Sequence, residues 1–173
     1  MKLRSGIFFA GVSLVAMVMA GITASNANDS VAKAVSDPNG WAIAGHDYGN
    51  TRFSPLKQIN SENAGKLQLV YSLSLASLRS NESSPVVIGK NLYVSTSWGP
   101  KYVYAIDAAT GARKWTWQPD IPDDVLQYAC CDVNNRGVSY ADGKIFVGRL
   151  DGKLTALDAE TGKELWTSTV VDY

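Results

Sequence analysis

From position 67 to 75 apolar and other side chains alternate: Leu67, Leu69, Tyr71, Leu73 and Leu75 fall between Gln68, Val70, Ser72 and Ser74. A period of two puts every second side chain on one face of an extended chain, so this stretch predicts a strand with a single buried face. Further on, short apolar runs separated by turn residues predict eight more strands, near 85–88, 91–96, 102–106 and 113–117, then near 138–140, 144–148, 153–157 and 164–168. Gly89-Lys90, Asp142-Gly143 and Asp151-Gly152 supply tight turns between them, because glycine tolerates positive φ and an aspartate bonds to its own turn.

These strands form two copies of one pattern. Asp107, Gly111 and Trp115 recur 51 positions later as Asp158, Gly162 and Trp166, and Asn91-Leu92-Tyr93-Val94 matches Lys144-Ile145-Phe146-Val147 at an offset of 53. The first copy therefore carries two extra residues in the hairpin around Trp98, Gly99 and Pro100. A repeat of about 50 residues made of four strands is a propeller blade. The fold class expected is all-β, a partial β-propeller: an N-terminal segment at 28–66, a strand at 67–84 from an incomplete blade, a blade at 85–117, a loop at 118–137 and a blade at 138–169. Trp115 and Trp166 share one place in the motif, where an indole suits structural blade docking. Asp107 and Asp158 read as turn residues rather than metal ligands. Two repeats and part of a third fall short of the roughly four blades a ring needs, so the chain is an arc whose closure requires further C-terminal blades.

Composition narrows the function. Sixteen Lys and Arg balance sixteen Asp and Glu in 173 residues, which leaves no basic excess for nucleic acid, and 46% hydrophobic content is that of a globular chain. Lys2 and Arg4 precede an apolar run at 7–19 and a small-residue stretch ending at Ala27. That layout predicts a secretory signal over 1–27, hence export to an oxidising compartment such as the periplasm. No nucleotide loop, Gly-x-Ser-x-Gly or Cys-x-x-Cys-His motif occurs, and the sole histidine, His46, lacks the companions a zinc site needs.

The two cysteines are adjacent, Cys130 and Cys131. Neighbouring Cα atoms lie about 3.8 Å apart, below the roughly 4.4–6.8 Å of a usual disulfide. A bond between them needs a strained ring; two buried thiols or an intermolecular bridge are the alternatives. Arg136 and Glu82, taken alone, read as surface charges.

The run Cys130-Cys131-Asp132-Val133-Asn134-Asn135-Arg136-Gly137 resembles a signature of pyrroloquinoline quinone (PQQ)-dependent alcohol dehydrogenases, the methanol and ethanol dehydrogenase family. Arg52-Phe53-Ser54-Pro55-Leu56-Lys57-Gln58-Ile59-Asn60, Glu82-Ser83-Ser84-Pro85 and Ile121-Pro122-Asp123-Asp124 are similar to further family segments, so the resemblance runs from residue 41 to residue 166. Asn134, where valine is common, departs from the signature. The resemblance implies an eight-bladed parent propeller and a Cys130–Cys131 disulfide lying against one face of the quinone. It makes Arg136 and Glu82 cofactor contacts. A guanidinium fork suits the quinone's carboxylates, whereas Glu82 needs a shared proton or a cationic neighbour. It also implies Ca²⁺ or a lanthanide as Lewis acid, a small alcohol as substrate and a cytochrome c type electron acceptor. The catalytic base and metal ligands are expected beyond residue 173. A non-enzymatic propeller of related motif, acting as a protein-contact scaffold in the cell envelope, is the alternative; it gives no reason for Glu82, the cysteine pair and Arg136 together.

Overall fold

The computed structural model describes residues 27–96, 98, 102–129 and 133–172. Residues 1–26 of the expected signal, most of the hairpin tip at 97–101, and Cys130, Cys131 and Asp132 lie outside the described residues. Eight strands form two four-stranded antiparallel sheets. The first contains β1 (Val86–Ile88), β2 (Asn91–Ser95), β3 (Val103–Asp107) and β4 (Arg113–Trp117); the second contains β5 (Ser139–Ala141), β6 (Lys144–Gly148), β7 (Lys153–Asp158) and β8 (Glu164–Thr169). Each sheet is a meander in chain order. An α-helix, α1 (Ala27–Val35), precedes them and has no counterpart in the sequence reading. Its Ser30 hydroxyl accepts a 2.8 Å bond from the Asp142 N–H at the β5–β6 turn.

The apolar pattern explains the layering. Val86, Tyr93, Val103, Ala105 and Trp117 of the first sheet share a core with Ile145, Val147 and Leu157 of the second. The alternate residues Val94, Tyr104 and Ile106, with Leu92, point to the other face, where Leu73 and Leu75 pack against them. The first sheet is thus buried on both faces, which requires the near-continuous apolar runs seen in β2 and β3. In β8, by contrast, all six residues are exposed.

One expectation fails as stated. Residues 67–75 form no strand. Their alternation survives only from Tyr71, where Tyr71, Leu73 and Leu75 are half-buried and Leu67 and Leu69 are exposed. A one-sided pattern reports a face against a core, whereas a strand also needs a backbone ladder with a neighbour; among the described residues this segment joins neither sheet and meets the first one through the Tyr71 and Tyr104 hydroxyls instead.

The repeat extends to irregularities. Both sheets slip register at the same place: Ala105 faces Trp115 but Ile106 faces Arg113, and Ala156 faces Trp166 but Leu157 faces Glu164. Before each slip, the Asp107 carboxylate accepts bonds from the Thr110 N–H and hydroxyl, both at 2.9 Å, and Asp158 does the same with Thr161 at 2.8 and 2.7 Å. The threonine hydroxyl, then the threonine amide, holds each carboxyl below the ordinary value of 3.8. A depressed folded-state pKa means that the turn's contribution is complete above 3.8 and disappears as pH falls through the lower folded value. Urea midpoints followed downward from pH 5 should therefore decline, and less steeply in the double variant Asp107→Asn, Asp158→Asn. Parallel declines in both proteins would remove these turns as the cause.

Blades meet through a repeated contact as well. Trp115 donates from Nε1 to the Ala159 carbonyl at 3.0 Å, and its ring lies over Gly162. One repeat earlier, the Tyr71 hydroxyl donates to the Ala108 carbonyl at 2.9 Å, and its ring lies over Gly111. Tyr71 therefore stands toward the first sheet as Trp115 stands toward the second. The Trp166 indole, 42% exposed, rests beside Phe146 of its own sheet at 6.0 Å between ring centroids.

Candidate functional site

Two chain segments lead into the first strands of the two sheets, residues 82–85 into β1 and 133–138 into β5. They run side by side through a parallel bridge between Ser84 and Gly137, and the Ser84 N–H donates to the Arg136 carbonyl at 3.1 Å. Gly137 makes this approach possible: its φ is +120°, and a Cβ there would lie 2.7 Å from the Ser84 carbonyl oxygen.

The same crossing brings together two of the residues singled out in the sequence. Arg136 Nη1 lies 2.9 Å from Glu82 Oε2, although the residues are far apart along the chain. Their side chains are 83% and 42% exposed. An exposed pair of this kind is worth only about 0–1 kcal/mol to folding. The pair gives Glu82 the cationic neighbour that a carboxylate needs beside an anionic ligand.

Three residues that sequence reasoning did not single out hold the crossing in place. Asn135 Oδ1 accepts from the Ser95 hydroxyl at 2.7 Å and from the Gly137 N–H at 2.8 Å, while its Nδ2 donates to the Gly148 carbonyl at 2.8 Å. Ser95 Oγ also lies 3.1 Å from Ser83 Oγ, which accepts from the Ser95 N–H at 3.2 Å. Ser95 ends β2 and Gly148 ends β6, so Asn135 ties equivalent points of the two repeats. A signal for Ser95 was present: a hydroxyl ends an otherwise apolar run and is wholly buried.

The flanks of the cysteine pair are also fixed. Val125, in the 3-10 helix Asp123–Gln127, and Val133 are buried, and Arg149 donates to the Asp120 carbonyl at 2.8 Å. Arg149 is itself held by two bonds to the buried Asp151 carboxylate, at 2.9 and 2.7 Å. His46 meets the Trp41 ring edge-on at 4.7 Å.

An exposed guanidinium on a tethered backbone, with hydroxyls close by, suits a rigid ligand carrying carboxylates. The paired four-stranded meanders, each in chain order, are those of successive blades in a β-propeller arc. Residues 41–167 match the family described as PQQ, glucose/ethanol/alcohol dehydrogenase, β-propeller domain, and the chain belongs to that family. Among its relatives is the lanthanide-dependent methanol dehydrogenase of Methylacidiphilum fumariolicum, 42% identical over 151 residues, which cover 86% of this chain and 24% of that protein. Another is the quinohemoprotein alcohol dehydrogenase of Comamonas testosteroni, 43% identical over 164 residues, covering 95% and 23%. Among solved structures, a europium-containing methanol dehydrogenase superposes with a TM-score of 0.78 at 44% identity, covering 84% of this chain and 25% of that one. The chain spans about a quarter of the length of these relatives.

Proposed function

We propose that the chain is the N-terminal arc of an exported, eight-bladed quinoprotein dehydrogenase that oxidises small alcohols to aldehydes, and that it supplies one side of the quinone pocket. Its parts are a signal over 1–27, an entry segment at 28–66, the edge of a preceding blade at 67–84, blades at 85–117 and 138–169, and a cofactor loop at 118–137. Arg136 binds a quinone carboxylate through its guanidinium edge. Glu82 orients that edge through the 2.9 Å ion pair. Cys130 and Cys131 form a disulfide that gives one face of the ring system an apolar plate. Bound PQQ supplies the two-electron acceptor for alcohol oxidation. Blades beyond residue 173 bring the base and the ligands of Ca²⁺ or a lanthanide, and electrons leave to a cytochrome c type acceptor. Trp115 and Trp166 dock successive blades.

The observation that carries this reading is the Glu82–Arg136 pair, set at the crossing of two blade entries above a frame hydrogen-bonded to both sheets. The relatives that share the family support the same chemistry, because they are named as alcohol dehydrogenases. The test is mass spectrometry of the oxidised chain after alkylation under denaturing conditions. Neither thiol should be alkylated before reduction, and the tryptic peptide holding both cysteines should be 2 Da lighter than its reduced form. Two alkylated thiols would remove the platform.

A further inference from the structure

The Glu82–Arg136 pair raises a question of precision. Both side chains are largely exposed and sit on entry segments outside any strand, so their own ion pair cannot fix where they stand. Functional geometry of this kind has to be imposed by rigid elements beneath it. The only strand residue that reaches both segments through hydrogen bonds, among the described residues, is Ser95. Its buried hydroxyl touches Ser83 Oγ, next to Glu82, at 3.1 Å, and Asn135 Oδ1, next to Arg136, at 2.7 Å. Asn135 then spends its remaining groups on Gly137 and on the Gly148 carbonyl of the second sheet.

We infer that Ser95 and Asn135 are positioning residues that set the register of Glu82 against Arg136 across the two blades, so that the quinone carboxylate meets a preformed guanidinium. The inference rests on reading Glu82 and Arg136 as cofactor contacts, but the register itself does not depend on a cofactor being bound. An alanine at 95 would take the hydroxyl away from Asn135 Oδ1, which keeps the Gly137 N–H, and from Ser83 Oγ, which keeps only the 3.2 Å bond from the residue 95 N–H. Because Ser95 pairs with Val103 through its backbone, the strand itself should survive. The effect should therefore be local.

The full chain carrying Ser95→Ala, Ser95→Thr or Asn135→Asp is compared with the parent by amide hydrogen exchange and by PQQ titration followed through tryptophan fluorescence. In Ser95→Ala the Ser84 and Gly137 amides should exchange about tenfold faster or more, with the Val147 and Ala156 amides unchanged. The PQQ Kd should weaken by about tenfold, and Ser95→Thr, which keeps the hydroxyl, should recover both readouts. Asn135→Asp, which keeps the acceptor but loses the donor to Gly148, should accelerate the Gly137 amide. Unchanged exchange at Ser84 and Gly137, or acceleration spread evenly over all strands, would overturn the inference, as would a loss of affinity with no local change in exchange. PQQ uptake by the parent that Arg136→Ala leaves unaltered would overturn the cofactor reading instead; local acceleration in Ser95→Ala would then still support the register role.

Discussion

Replacing Gly162 by alanine is expected to separate the two blades. Gly162 has φ +72°, and a Cβ there would lie 2.5 Å from Trp115 Cδ2 and 2.6 Å from Cε3, inside the indole that caps the turn. Two costs combine: about 1–2 kcal/mol for placing an alanine in left-handed backbone, and about 1–3 kcal/mol for forcing atoms into a packed contact. The indole can escape only by giving up its 3.0 Å bond to the Ala159 carbonyl. Two other glycines separate the terms. Gly143 has φ +68° with nothing within 4 Å of its Cβ position, so Gly143→Ala should cost the strain alone. Gly148 has neither positive φ nor a neighbour there and should tolerate alanine with little change. Urea unfolding of the three variants should rank Gly162→Ala well below Gly143→Ala, with Gly148→Ala near the parent. If Gly162→Ala matched Gly143→Ala, the indole would not be a docking element.

This series also shows what the sequence made legible. The repeated Asp-Ala-x-Thr-Gly turns and the tryptophan after each located eight strands to within a residue or so, because turn chemistry and alternation are local properties. Tyr71 escaped notice as the counterpart of Trp115, since it differs in type and lies in a segment with no turn motif of its own. The strand expected at 67–75 failed for a related reason: alternation reports burial, while pairing depends on a neighbour that can be far along the chain. At the site, Glu82 and Arg136 were identifiable by resemblance, but their contact and the Ser95–Asn135 frame beneath them were not. Hydrogen bonds between residues 40 positions apart leave no local pattern in sequence.

The second large effect belongs to Arg136. If its guanidinium meets a quinone carboxylate, Arg136→Ala should lose a charge-assisted hydrogen bond of about 1.5–3 kcal/mol, a rise of about 10- to 150-fold in the PQQ Kd. Folding should hardly register the change, because the side chain is 83% exposed and its ion pair adds little to stability. Affinity and stability are thereby separated in one variant: fluorescence titration should show the loss, and the urea midpoint should stay near that of the parent. Arg136→Lys keeps the charge without the planar fork and should fall between the two. Glu82→Gln still offers Nη1 an oxygen acceptor at the same reach, so it should lose less affinity than Arg136→Ala. That variant also removes the negative charge that Glu82 holds beside an anionic ligand, and the salt dependence of binding should change accordingly. Equal affinities for the parent and Arg136→Ala would place the quinone elsewhere and leave the Glu82–Arg136 pair as a surface contact between two blade entries.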